Sequence, residues 1–127
     1  MEVKINTKER FNVLVVMEPE LSDIMADELK AACYSVLEQE IKNVVINLQE
    51  VKAMGKIIAE ALVGLQQQFY DKQASFVICK IQPPVEQVLK DADLLEMLNI
   101  APTESEAGDI VQMEEIEREL LKEEDSE

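Results

Sequence analysis

Histidine and tryptophan are absent from this chain of 127 residues, glycine occurs three times, proline four times and cysteine twice, and aromatic residues amount to only 4%. Each scarcity closes a route. Without histidine there is no imidazole to act as general base or metal ligand. The two cysteines, Cys33 and Cys79, lie in apolar runs without CxxC spacing, so they suggest neither a metal site nor a disulfide framework and read as reduced, buried thiols. Cations are also few, with 12 Lys and Arg against 27 Asp and Glu, a net charge of −15. So acidic a surface works against nucleic acid and anionic lipid and favours solubility or a partner with basic patches. No stretch has the basic-then-apolar form of a signal peptide, and no apolar run approaches the roughly 18 residues of a membrane span. A cytoplasmic chain with no direct membrane insertion is expected.

What is present is a globular composition, 47% hydrophobic against 31% charged, in a length that suits one domain with a real core. MEVKI alternates weakly, and after the polar NTKER comes FNVLVVM, rich in β-branched residues; together they read as a hairpin. Beyond Pro19, Ser22 or Asp23 is placed to cap a helix with apolar positions Met25, Leu29, Ala32, Cys33, Val36 and Leu37, ending near Glu40. Val44 to Leu48 is an apolar run of the kind buried on both faces of a parallel sheet. From Lys56 helical periodicity returns, with Ile58, Ala61, Leu62, Leu65 and Phe69 on one face and Lys56, Glu60, Gln66, Gln67 and Tyr70 largely off it. Gly64 inside this helix suggests a close approach to the sheet. Ala74 to Cys79 is another buried strand, Pro83-Pro84 opens a short helix, and LLEMLNI gives a helical turn or an edge strand. Pro102-Thr103 leads into a terminal helix. From Glu104 onward eleven acidic residues stand against two basic ones, yet Ile110, Met113, Ile116 and Leu120 still form a narrow apolar stripe. The last five or six residues read as disordered. The fold class is therefore α/β: a small mixed β-sheet of four or five strands with about four helices, the last of them acidic.

The segment VKAMGKIIAE sets Gly55-Lys56 at a strand-to-helix turn, where a phosphate-binding loop would put such a pair. A P-loop also needs glycine five residues earlier and a hydroxyl after the lysine; these positions are Glu50 and Ile57, so two of three requirements fail. Two readings stay open. Gly55 and Lys56 form an anion-binding helix N-terminus, or Gly55 permits a tight turn and Lys56 is a solvated first-turn residue. Carboxylates fall mostly on polar helix faces with no pair aimed into a cleft, and a cysteine nucleophile would lack its imidazole in an apolar setting that raises a thiol pKa. No enzyme, metal site or cofactor is expected. Methionines divide between core positions, such as Met25 and Met97, and places where exposure is plausible, such as Met54 and Met113.

Three stretches, in this order and spacing, resemble the STAS domain (sulfate transporter and anti-sigma factor antagonist) from about Phe11 to Ala107. VLVVMEPELSDIMADEL looks like the family's second strand and first helix. NVVINLQEVKAMGKIIAEALVGL is similar to its apolar strand, strand-end aspartate, phosphorylation turn and second helix. ICKIQPPVEQVLKDADLLEMLNIAPTESEA resembles the closing strand, the P-x-V helix start and the entry to the last helix. The resemblance implies a STAS-like domain over residues 1–107 followed by an acidic helical extension over 108–127. It implies a binding module of a partner-switching system, whose antagonist binds an anti-sigma factor until phosphorylation of a serine at the start of the second helix breaks the complex.

The departure from the family lies at that serine. Laid on the phosphorylation turn, Gly55 takes the aspartate position, Lys56 the phosphoacceptor, Ile57 the next hydroxyl and Ile58 the glycine, while Asn47 replaces the strand-end aspartate. Lysine neither accepts phosphate from a serine kinase nor imitates phosphoserine. The expectation is a transcription-regulating interaction module without its switch, contacting a protein partner such as an anti-sigma factor through Met54, Gly55, Lys56, Ile57 and Ile58. The alternatives are an anion- or nucleotide-sensing domain using Gly55 and Lys56, and a scaffold subunit of a membrane-associated complex whose acidic last helix docks that complex or forms a homodimer.

Overall fold

The structure is a computed structural model that describes residues 1–125. β1 (Val3–Thr7) and β2 (Asn12–Val16) form the expected hairpin, paired antiparallel from Val3 opposite Val16 to Thr7 opposite Asn12. β3 (Glu20–Leu21) precedes a 3₁₀ turn (Asp23–Met25) and α1 (Ala26–Leu37). Then follow β4 (Val44–Asn47), β5 (Ala53–Met54), α2 (Lys56–Asp71), β6 (Phe76–Cys79), α3 (Pro83–Asp91), a 3₁₀ turn (Leu95–Met97), β7 (Ile100–Ala101) and α4 (Glu104–Asp125). The main sheet has five strands in the order β1-β2-β4-β6-β7, parallel except for the hairpin, and β3 pairs with β5 in a separate parallel ribbon. LLEMLNI thus supplies both the turn and the edge strand.

Side chains that alternate along the strands sort into two layers. On one face Leu14, Val16, Val44, Ile46, Phe76 and Ile78 pack against Leu29, Cys33 and Val36 of α1, Ile58, Leu62, Leu65 and Phe69 of α2, and Val85 and Leu89 of α3. The rings of Phe69 and Phe76 meet edge to face at 5.3 Å. On the other face Val13, Val45, Val77, Cys79 and Ala101 meet Ala107 and Val111 of α4. The central strands β4 and β6 are buried along their whole length, as apolar runs covered on both sides must be. β1, mostly exposed, is the polar edge.

Several expectations are corrected. α1 stops at Leu37, short of Glu40, because Glu38-Gln39-Glu40 brings no apolar side chain to hold a further turn on the sheet. Gly64 is exposed, and a Cβ there would have nothing within 4 Å, so it serves no close approach. Gln66 is buried: its Nε2 donates to the Met97 carbonyl at 2.8 Å and its Oε1 accepts from the Asn99 amide at 2.9 Å, tying α2 to the entry of β7. Met97 is 55% exposed, since its main chain makes that contact while its side chain turns out, whereas Met54 is buried. α4 is described to Asp125, and Ser126 and Glu127, at the end of the segment read as disordered, lie outside the described residues.

Of the stripe read on α4, Ile110 is half-buried against the sheet-side cluster, and the other three members face outward. Ala107, Val111, Glu114 and Arg118 are the residues turned to the sheet. Glu114 Oε2 accepts from the Tyr70 hydroxyl at 2.8 Å, and Arg118 donates to Ser75 Oγ at 3.1 Å. Met113, Ile116 and Leu120 are 60%, 51% and 56% exposed. The covered face combines small residues with Glu114 and Arg118, and includes Gly108, where a Cβ would stand 2.9 Å from the Phe11 ring, so its apolar signal is weak although its packing is close.

Candidate docking site at the start of the second long helix

The β3–β5 ribbon sets the position of the α2 N-terminus. Lys52 N donates to the Pro19 carbonyl at 2.7 Å and Gly55 N to the Leu21 carbonyl at 3.0 Å, so residues 52–55 run alongside residues 19–21. Gly55 is the residue before the first helical turn, extended at φ −79° and ψ 156°, and its carbonyl accepts the first helical bond from Ala59 N at 3.1 Å. It has no side chain with which to satisfy the free amides beyond it.

Asp23 supplies the missing cap from a distant part of the chain. Its Oδ1 accepts from the amides of Ile57 at 3.0 Å and Ile58 at 3.3 Å. A carboxylate there meets both the unsatisfied donors and the positive end of the helix dipole. The same contact accounts for glycine at position 55: a Cβ would lie 2.0 Å from Asp23 Oδ1 and 2.7 Å from its Cγ. The backbone dihedrals at Gly55 are open to any residue, so the need for glycine is one of space, not of conformation. Ser22 makes no side-chain cap bond, and the local helix cap expected of Ser22 or Asp23 is replaced by this long-range one.

The predicted site residues therefore separate. Met54 and Ile58 are core residues, 8% and 0% exposed, and Gly55 is half-buried under Asp23. Lys56 is exposed and, among the described residues, has no ion-pair partner. Ile57 is 55% exposed, and Ile24, directly after the capping aspartate, is 89% exposed. From Ile57 a shallow groove of about 320 Å³ runs between α1 and α2, bordered by Lys30, Tyr34, Glu60 and Gln68, with the Tyr34 hydroxyl donating to Gln68 Oε1 at 2.9 Å. Sequence reading missed Asp23, Ile24 and Tyr34 as members of this surface. Asp23 carried a signal, but a local cap explained it equally well.

Asn47, at the strand end, donates through Nδ2 to Glu104 Oε2 at 2.6 Å and accepts from the Gln49 amide at 2.9 Å. It binds β4 to the first turn of α4. The thiols are poor nucleophiles: burial pushes Cys33 up to about 12, and burial with the nearby Glu104 carboxylate pushes Cys79 up to about 11. Among the described residues no group of three or more Cys, Asp or Glu is placed to hold a metal ion, and no helix is long and apolar enough to cross a membrane.

The STAS domain family model matches residues 2–107. This chain belongs to the STAS domain family. Solved structures with the same fold include an anti-sigma factor antagonist from Mycobacterium paratuberculosis, 18% identical over 87% of this chain and 93% of that one, with a TM-score of 0.75. A STAS domain protein from Planctomyces limnophilus is 18% identical over 83% and 93% of the two chains, with a TM-score of 0.71. The Bacillus cell fate determinant SpoIIAA in its phosphorylated form is 15% identical over 87% and 99%, with a TM-score of 0.62. At such identities the likeness is one of fold. The STAS match ends inside α4, which continues as one helix beyond it.

Proposed function

We propose that this STAS domain is a non-catalytic protein-interaction module of the anti-sigma factor antagonist type, regulating transcription through a partner it binds without a phosphorylation switch at the start of α2. The observation that carries the reading is the exposed pair Ile24 and Ile57, 89% and 55% accessible, one next to Asp23 in the chain and the other holding an amide that Asp23 caps, with the exposed Lys56 next to Ile57. Two aliphatic side chains fixed on hydrogen-bonded backbone suit a protein contact, because little ordering entropy remains to be lost on binding. Residues 55–58 carry no hydroxyl, so a serine kinase finds no acceptor there. The contact surface is Ile24, Lys56 and Ile57, with Met54, Gly55 and Ile58 supporting it from beneath.

The anion-sensing alternative loses support on the same geometry. The amides of Ile57 and Ile58, which an anion at Gly55 and Lys56 would need, are already taken by a carboxylate. A phosphate would have to displace Asp23 and then tolerate its charge alongside.

The test uses purified anti-sigma factors of the source organism. In a binding assay with the one that the chain captures, Ile57→Asp and Lys56→Glu are expected to weaken affinity at least tenfold. Affinity unchanged in both variants would remove this surface from the interface. Incubation of the complex with labelled ATP is expected to leave the chain unlabelled, and label on the first turn of α2 would overturn the switchless reading.

A further inference from the structure

The outer face of α4 contributes nothing to the fold as it stands. Met113, Ile116 and Leu120, at spacings of three and four, are each more than half exposed on the side of the helix opposite Ala107 and Val111. Beside Ile116 and Leu120 an open groove of about 270 Å³ runs between α4 and the β1–β2 turn, bordered by Arg10, Glu115 and Glu119. The charges around the stripe are mainly acidic. Asp109, Glu117 and Glu119, one turn away from its members, are exposed and acidic. Among the described residues, Arg10 is the one cation on this rim, and it already faces Glu115 at 4.0 Å. Arg118 and Lys122 border the pocket formed with Tyr70 and Gln73 and a second one shared with Arg10, Glu115 and Glu119, and neither borders the groove beside Ile116 and Leu120.

This charge pattern selects the occupant. A second copy of the chain, with its net charge of −15, would bring one acidic rim against another, and an anionic lipid surface would be repelled in the same way. We infer that the outer face of α4 is a second docking surface, which takes an amphipathic helix of another protein with an apolar stripe flanked by Lys and Arg. The stripe from Met113 to Leu120 is about 10 Å long at the rise of an α-helix, room for anchors at i, i+3 or i+4, and i+7 of the partner. The groove beside Ile116 and Leu120 receives one of those anchors, and the acidic rim receives the flanking cations. This surface and the Ile24–Ile57 surface lie on opposite sides of the sheet, so one copy can hold two proteins at once. The inference does not depend on what binds at α2.

The probe is a synthetic helical peptide of leucine and lysine, with leucines at i, i+3, i+4 and i+7 over about five turns, titrated into the full chain by fluorescence anisotropy. A peptide of the same composition with the leucines dispersed serves as control. The patterned peptide is expected to bind, to bind at least tenfold more tightly than the dispersed one, and to weaken as salt is raised. The Met113→Ser, Ile116→Ser, Leu120→Ser triple variant is expected to lose at least tenfold of that affinity, and Ile116→Lys alone, a change at a solvent-facing position, most of it. Equal binding of the two peptides, unchanged affinity in Ile116→Lys, or no binding at all would overturn the inference. So would a dimer in sedimentation equilibrium that Ile116→Lys dissociates, because the occupant would then be a second copy.

Discussion

Replacing Gly55 by alanine tests whether its role is to make room for Asp23. At φ −79° and ψ 156° alanine meets no backbone penalty, and the smaller freedom of the unfolded chain should stabilise the protein by about 0.4–1 kcal/mol. Against that gain, the new Cβ stands 2.0 Å from Asp23 Oδ1, and Asp23 N, at 3.1 Å, leaves little slack. The carboxylate must swing away, and the bonds to Ile57 N at 3.0 Å and Ile58 N at 3.3 Å are lost. Loss of an exposed cap costs about 1–2 kcal/mol with its interaction with the helix dipole included. Gly55→Ala should therefore be destabilised by about 0–1.6 kcal/mol, and Asp23→Ala by about 1–2 kcal/mol. With the carboxylate already absent, alanine at 55 should become neutral or stabilising by up to about 1 kcal/mol. Urea unfolding of the four proteins closes the cycle, with an expected coupling of about 1–2 kcal/mol. If Gly55→Ala destabilises the Asp23→Ala protein as much as it destabilises the parent, the spatial account of Gly55 is wrong.

The neighbours Ile57 and Ile58 should part company in stability: Ile58→Ala, which empties a fully buried site, should cost about 2–5 kcal/mol in urea unfolding, and Ile57→Ala should stay within about 0.5 kcal/mol. Comparable losses would contradict the orientation of the first turn of α2. Gly64→Ala, at an exposed helical position with open space around its Cα, should gain about 1 kcal/mol and raise the urea midpoint, and a loss would mean that the space is not open. The Cys33 thiol is raised from 9.0 to about 12 in the fold, so as pH climbs past 9 the unfolded chain gives up this proton first and the folded chain keeps it. Stability from this group is full below pH 9 and falls toward pH 12 by about 1.4 kcal/mol per pH unit, with Cys79 and Tyr70, also raised by burial, acting in the same direction. Unfolding midpoints between pH 8 and 10.5 should fall less steeply in Cys33→Ala than in the parent, and equal slopes would contradict the burial of that thiol.

The order of the main strands and helices was legible because each long element carries its own period. VLVVM, VVI and FVIC are apolar without interruption because helices cover both faces of the strands they form. Pro83 opens α3, where its missing amide costs nothing. The two-residue strands β3 and β5 were not legible, since Glu20–Leu21 and Ala53–Met54 are too short to show a period and exist only because they pair with each other.

The candidate docking site was legible in part. Its place at the start of α2 followed from Gly55-Lys56 and the family likeness, but Ile57 and Ile58 are equally apolar, and a period alone does not say which of two adjacent residues meets the sheet. A helix turns about 100° per residue, so one of them faces the core and its neighbour faces out; packing against the sheet assigned Ile58 to the inside. On α4 the apolar period marked a stripe without saying which way it faces. Its strongest apolar stripe is the exposed one, because a face pressed closely on a sheet uses small side chains such as Ala107 and Gly108.

The sequence by itself determined the α/β class, the sheet with its opening hairpin, the acidic surface and the absence of any hydroxyl at residues 55–58. These are local or additive properties, set by composition and by periods within single elements. Only the tertiary structure decided that Asp23 caps a helix beginning more than thirty residues later, that Gly55 is glycine to admit that carboxylate, and that Met113, Ile116 and Leu120 face outward. Such contacts join residues distant in the chain, and their geometry exists only once the ribbon, the sheet and α4 have been packed together.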